Sequence, residues 1–428
     1  RGVHAQVALP SLDIDTWQQA LQRLAPAAPA AAETAADTVS AASLQSYLPD
    51  TATLSAQSLT ANGRTLHALS ARGTRNGGLW NATVEARELS GQIEYREGHA
   101  ADPAGQVYAR LTRLAVPQSA AGAVDSLLSP QPRSLPALDI AVDALELFGR
   151  PMGRFEVQAR NRESPGNPAL REWQLIQFNI TSPEAQLRAS GSWALQPGQP
   201  AQPRTSLRFA LDIADTGALL TRFSMPGVIR NGRGRLDGQV AWNGSPLAPD
   251  YHSLGGQLHL DMASGQFLQA EPGLAKLLGV LSLQALPRRL TLDFRDVFSK
   301  GFSFDFVRGD VQIAQGIART NNLQMKGVNA AVLMEGEADM HRETQNLHVV
   351  VVPEINAGTA SLVATAINPV VGLSSFLAQI LLRGPLIAAA TKEFRIDGSW
   401  SDPQVNPVSS KPEPRASTPP PTRGETPP

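Results

Sequence analysis

Alternating hydrophobic and polar residues run through most of this chain, and Leu290 to Phe306 shows the pattern most plainly. Leu290, Leu292 and Phe294 fall on one side of an extended strand, with Thr291, Asp293 and Arg295 on the other. Past Lys300-Gly301 the alternation resumes as Phe302, Phe304 and Phe306 against Ser303 and Asp305. A period of two sends successive side chains to opposite faces of a sheet, so the spacing predicts a hairpin with one apolar and one polar face.

The same writing organises the rest. Residues 1–48 are expected to hold a short amphipathic helix over Ser11 to Leu24, with Trp17, Leu21 and Leu24 at helical spacing, followed by an Ala- and Pro-rich linker. Residues 49–117 read as hairpins: Trp80, Ala82, Val84 and Ala86 alternate, Ile93 and Tyr95 follow, and Asn62-Gly63 and Asn76-Gly77 are turn signals. A Ser-, Pro- and Ala-rich linker is placed at 118–136. Strands resume over 137–354, with Leu207, Phe209, Leu211 and Ile213 as a clean alternating run. Short helices interrupt them at 216–224, capped by Asp215, and at 272–286. Apolar helices are expected over 355–392, a last strand over 393–407, and a Pro/Ser/Thr tail over 408–428 that cannot bury enough surface to stay ordered. Gly91-Gln-Ile-Glu-Tyr95 is echoed by Gly238-Gln-Val-Ala-Trp242, and shorter echoes end at Trp193 and Trp400. Such recurrence favours a serial hairpin array.

Composition narrows the function classes. Basic and acidic residues number 37 and 38, a net charge of -1, without the basic footprint of a nucleic-acid partner. Cysteine is absent, which removes disulfides and thiolate chemistry. No phosphate loop, nucleophile elbow or zinc-protease motif is present. The seven His are scattered, and Asp293, Asp296 and Asp305 read as solvated positions. No enzyme, metal or cofactor is expected. The apolar run from Ile355 to Thr391 is broken at Asn368-Pro369 and at Arg383-Gly384-Pro385, so neither piece reaches the roughly 20 residues of a membrane span. The chain begins at Arg1, which reads as a fragment or processed product whose targeting segment lies upstream. What the long apolar face touches is therefore the functional question. Periodicity leaves two answers open: a two-sheet sandwich that covers the face, or an open groove that uses it.

Several stretches resemble one family. Asp215-Thr-Gly-Ala-Leu-Leu-Thr-Arg-Phe223, Gly234 to Pro246, Leu254 to Phe267 and Gly273 to Phe306 carry the resemblance, with Ile367 to Leu373 and Phe394 to Pro403. They are similar to the C-terminal region of YhdP-type proteins, within the AsmA-like group of bacterial envelope proteins. The likeness is close over 138–408 and looser before it. It implies an elongated, curved, mostly antiparallel β groove with an apolar concave face, a few short helices and a helical C-terminal cap that closes the end or touches a membrane. It also implies a bridge-like phospholipid conduit in the periplasm, with an inner-membrane anchor outside this fragment, the C-terminal end near the outer membrane, and envelope proteins as further partners. The family offers no catalytic residues to carry over. About sixteen strands at ~4.8 Å would make a groove of roughly 75 Å. Candidate lipid-lining residues are Leu258, Leu260, Leu292, Phe294, Phe302, Phe304, Phe306, Leu323, Met325, Val349 and Val351. The other function class is a structural or assembly factor acting through protein contacts, with the apolar face used for folding alone.

Overall fold

A computed structural model describes residues 3–16, 49–61, 64–98, 104–117, 135–164, 167–196, 199–246, 249–268, 302–327, 330–353, 365–382 and 391–408. The expected helix at 272–286, Leu292, Phe294 and most of the two linkers lie outside the described residues, as does the tail beyond 408.

Every labelled strand belongs to one 20-stranded sheet. Its first part is β1 (His4–Asp13), β2 (Thr51–Ala61), β3 (Arg64–Asn76), β4 (Leu79–Glu85), β5 (Leu89–Arg96) and β6 (Gln106–Val116). β7 (Ala137–Leu147), β8 (Arg150–Ser164), β9 (Asn167–Thr181), β10 (Ala185–Gln196) and β11 (Gln199–Ile213) follow. Helix α1 (Thr216–Arg222) and the short β12 (Ile229–Arg230) lead into β13 (Arg233–Asn243) and β14 (Gly255–Phe267). The last part is β15 (Phe302–Ala314), β16 (Ile317–Gly327), β17 (Ala330–Asp339), β18 (Thr344–Pro353), helix α2 (Gly372–Leu382), β19 (Lys392–Gly398) and β20 (Pro403–Pro407). At the ~4.8 Å spacing of paired strands the sheet measures roughly 85–90 Å along its curve.

Apart from the short β12, which pairs with β14, neighbours in sequence are neighbours in the sheet and run antiparallel, except at two parallel joints, β1–β2 and β6–β7. Parallel pairing needs a long connection, and both joints fall beside the Ala/Pro-rich segments. Serial order therefore gives the sheet two distinct lips. One carries turns such as Asn76 to Leu79 and Ala314 to Ile317; we term it the turn lip. The other carries turns too, such as Leu147 to Arg150 and Thr181 to Ala185, and with them the inserted segments: α1 between β11 and β13, the connection from β14 to β15, and α2 between β18 and β19.

Three local features differ from the alternation reading. Residues 4–13 form a strand ahead of the expected N-terminal helix, because they pair with β2 along its length. The helical turn begins only at Ile14, where the Thr16 N–H donates to Asp13 at 2.9 Å. From Phe304 to Phe306 both edges of β15 are taken, by β14 and β16; Leu290 to Arg295, the partner expected from alternation, lies outside the described residues. And α2 does not close the groove at its end. Its Leu373 and Leu377 pack on Ala331, Leu333, Val350 and Val352, the face of β17 and β18 opposite Val332, Val349 and Val351. Those strands are consecutive apolar runs, Ala331-Val-Leu-Met334 and Val349 to Val352, as strands buried on both faces are.

Glycines set the curvature. A Cβ on Gly238 would lie 2.3 Å from the Gln257 carbonyl oxygen and 3.0 Å from Leu258 Cδ2. At Gly91, with φ at +141°, it would lie 2.4 Å from the Arg110 oxygen and 3.1 Å from Leu111 Cδ2. In each case a leucine of the next strand folds over the bare backbone, which lets the sheet bend sharply with its apolar side chains laid flat.

Helix α1 is fixed from its cap. Asp215 accepts from the Ala218 N–H at 3.0 Å. At its other end Arg222 bonds Glu184 at 2.6 Å and the Pro151 carbonyl, so the insertion is tied to the ends of β8 and β10.

Candidate functional site

The apolar face is continuous across the sheet. Leu59, Leu69, Val84 and Ala86 begin it, and the half-buried Leu89 and Ile93 join them to Ala109, Leu111, Val142 and Leu145. Ala159, Trp173 and Trp193 come next, then Trp242, Leu254 and Ile313. Register ties these two groups: Thr205 stands between Trp193 on one side and Trp242 on the other. The last group is Met262, Phe304, Val307, Met325, Val332, Met334, Val349, Val351 and Ile396. The buried floor mixes short aliphatic side chains with Trp, Met and Phe304. Leu54, Ile93, Leu175, Leu207, Leu258, Leu260 and Leu323 stand above it, only half-buried. Among the described residues no second sheet covers them, since all the strands belong to the one sheet.

The structure brings Leu260, Phe304, Leu323, Met325, Val349 and Val351 into one cluster and places Leu258 in its neighbour. Phe302 lies on β15 by register. Phe306 is set apart. The pairing of β15 with β16 shifts between Phe304 and Phe306, so Val307 takes the place on the apolar face. The Phe306 ring instead lies 4.2 Å from the Arg308 guanidinium.

Aromatic residues are sorted between the lips, which single-strand alternation could not reveal. Among the described residues every Trp and Tyr lies in the turn-lip half: Trp80 and Tyr95 face each other at strand ends, as do Trp173 and Trp193 further in. Trp242 ends β13, Tyr108 opens β6, and Tyr251 and Trp400 occupy turns. Every described Phe lies on the other side: Phe155 and Phe178 in T-shaped contact at 5.3 Å, Phe267 and Phe304 at 5.1 Å, Phe394 at the start of β19, and Phe223 beyond α1.

Away from α2 the opposite face is polar. Arg188, Asp212, Arg235 and Asp237 form a ladder across β10, β11 and β13, and Arg319 pairs with Glu337 at 3.0 Å. Burial pushes the Asp310 carboxyl up, but hydrogen bonds with His259 at 2.8 Å and Asn322 at 2.7 Å outweigh it and hold it below its ordinary value. A hollow of about 690 Å³ on this face is lined by Arg188, Arg208, Arg235 and Asp237 among others, a setting for ions and water and not for hydrocarbon. Among the described residues no His/Asp/Glu group is arranged to hold a metal, and no helix is long and apolar enough to cross a membrane.

The chain is 34% identical over 230 residues to the intermembrane phospholipid transporter YhdP of Escherichia coli (strain K12), a match covering 53% of this chain and 18% of that protein. The chain thus spans only a small part of that relative's length. No solved structure matches it. The family model described as YhdP protein matches residues 1–405, nearly the whole length, and the chain belongs to the YhdP family.

Proposed function

We propose that this chain is a length of a passive phospholipid conduit in the bacterial envelope, in which the apolar face shields acyl chains while headgroups stay wet. The observation that carries the reading is the apolar face shared by the strands of a single sheet, on which Leu54, Leu175, Leu207, Leu258 and Leu260 remain half-buried. A diacyl lipid exposes about thirty methylenes at ~0.8 kcal/mol each, so bare passage through water costs about 20 kcal/mol or more. A surface of aliphatic side chains removes most of that barrier without specific contacts. The relative's name, intermembrane phospholipid transporter, supports the same cargo and a place between two membranes. On this reading the chain is periplasmic, and Leu258, Leu260 and Leu323 line the path above a buried floor that includes Phe304, Met325, Val349 and Val351, with Leu292, Phe294 and Phe302 as further candidates.

Mass spectrometry of gently purified protein tests it. Wild type is expected to carry phospholipid, and the double variant Leu258→Asp, Leu323→Asp to carry far less while its unfolding transition barely moves. A dry wild-type protein that instead retains a polypeptide partner would favour a structural factor.

A further inference from the structure

The sorting of aromatic residues assigns the lips different roles: we infer that the turn lip is the headgroup side of the groove, with acyl chains pointing from it toward the Phe lip. This deepens the conduit reading and rests on it. Trp and Tyr combine an apolar body with a polar handle and settle where hydrocarbon meets water, whereas Phe has no handle and settles deeper.

The handles point the right way. Trp80 Nε1 donates to Glu97 at 2.8 Å, Trp173 Nε1 to the Pro136 carbonyl at 3.1 Å and Trp242 Nε1 to the Ser245 carbonyl at 2.8 Å. Each acceptor lies past a strand end on the turn lip, so the rings bring their apolar bodies to the floor and their N–H groups to the lip. The Trp193 ring is 1% exposed, and its N–H has no acceptor among the described residues. Arg75, the register partner of Trp80, holds its guanidinium 5.1 Å from the Trp80 ring and adds a cation where a phosphate would sit. The distance fits as well. From Trp173 to Phe178 along β9 is about 17 Å at ~3.3 Å per residue, comparable to an acyl chain.

Intrinsic fluorescence of the full chain carrying Trp17→Phe and Trp400→Phe, loaded with phosphatidylcholine brominated either beside the ester or near the methyl end, tests the orientation. Ester-side bromine is expected to quench at least about twofold more strongly. Equal quenching, or stronger quenching from the methyl end, would overturn the assignment and leave the conduit intact. No quenching by either lipid, with none retained in the mass spectrum, would overturn the conduit itself and this inference with it. As a second readout, Trp80→Phe with Trp242→Phe, compared with its parent at equal lipid load in the mass spectrum, should narrow the difference between the two brominated lipids.

Discussion

In β2 to β5 the apolar residues occupy one face, Leu59, Leu69, Val84 and Ala86, and the alternate positions are exposed or polar. In β17 and β18 both faces are buried: Leu333 and Val350 under α2, Val332 and Val351 toward the groove, all at 0% exposure. The same strand geometry thus serves two ends. One-faced strands keep a surface available for something outside the chain. Two-faced strands commit their apolar residues to the chain itself, packed against α2 on one side and the groove-side cluster on the other. An apolar residue is therefore a candidate for cargo contact only where its neighbours in sequence are polar.

The sharpest way to break this contrast is a buried charge. Leu333→Asp should destabilise the C-terminal part by more than about 4 kcal/mol, since a carboxylate there has neither water nor partner. Urea unfolding followed by tryptophan fluorescence would measure it, and a small shift would mean that α2 does not seal the strand. Leu333→Ala isolates packing alone, with an expected loss of about 3 kcal/mol. Leu54→Ala on the half-buried side of β2 should cost about 1 kcal/mol or less, and equal losses at the two sites would erase the distinction. The smallest effect lies on the polar face, where Arg235→Ala should leave the urea midpoint almost unmoved despite its two carboxylate partners.

Acid offers a separate probe of the inserted helix. The Arg222 hydrogen bond holds the Glu184 carboxyl below its ordinary value of 4.5, outweighing the opposing effect of burial. A depressed folded value means the contact contributes fully above 4.5 and is lost as the pH falls through the lowered value. Proteolysis after Phe223 should therefore accelerate on acidification, and Glu184→Gln should be fast already at neutral pH; a cleavage rate indifferent to both would show that the bridge does not hold α1.

Much of the frame was legible in the sequence because the frame is alternation. Leu207 to Ile213 pairs in register with Leu236 and Val240, and Asp215 caps α1. What stayed hidden depends on neighbours. Phe306 belongs by spacing with Phe304, but a register shift visible only from β16 separates them. The strand at 4–13 escaped because its side chains are mostly exposed and it is held through its backbone. The Trp and Phe bands appear only once the direction of every strand is known, since a residue late in one strand and early in the next share a lip. The two-faced runs at Ala331 and Val349 were readable in principle as unbroken apolar sequence, and there the period of two was the wrong template.

The serial antiparallel order has a further consequence, one of parity. Deleting two consecutive antiparallel strands would shorten the groove by about 10 Å and leave each downstream residue on its own lip. Deleting one would reverse every strand beyond the cut and exchange the lips. Length in such a molecule is quantised in hairpins, and a chain lengthened or shortened by whole hairpins would stay readable to the same amphiphile throughout.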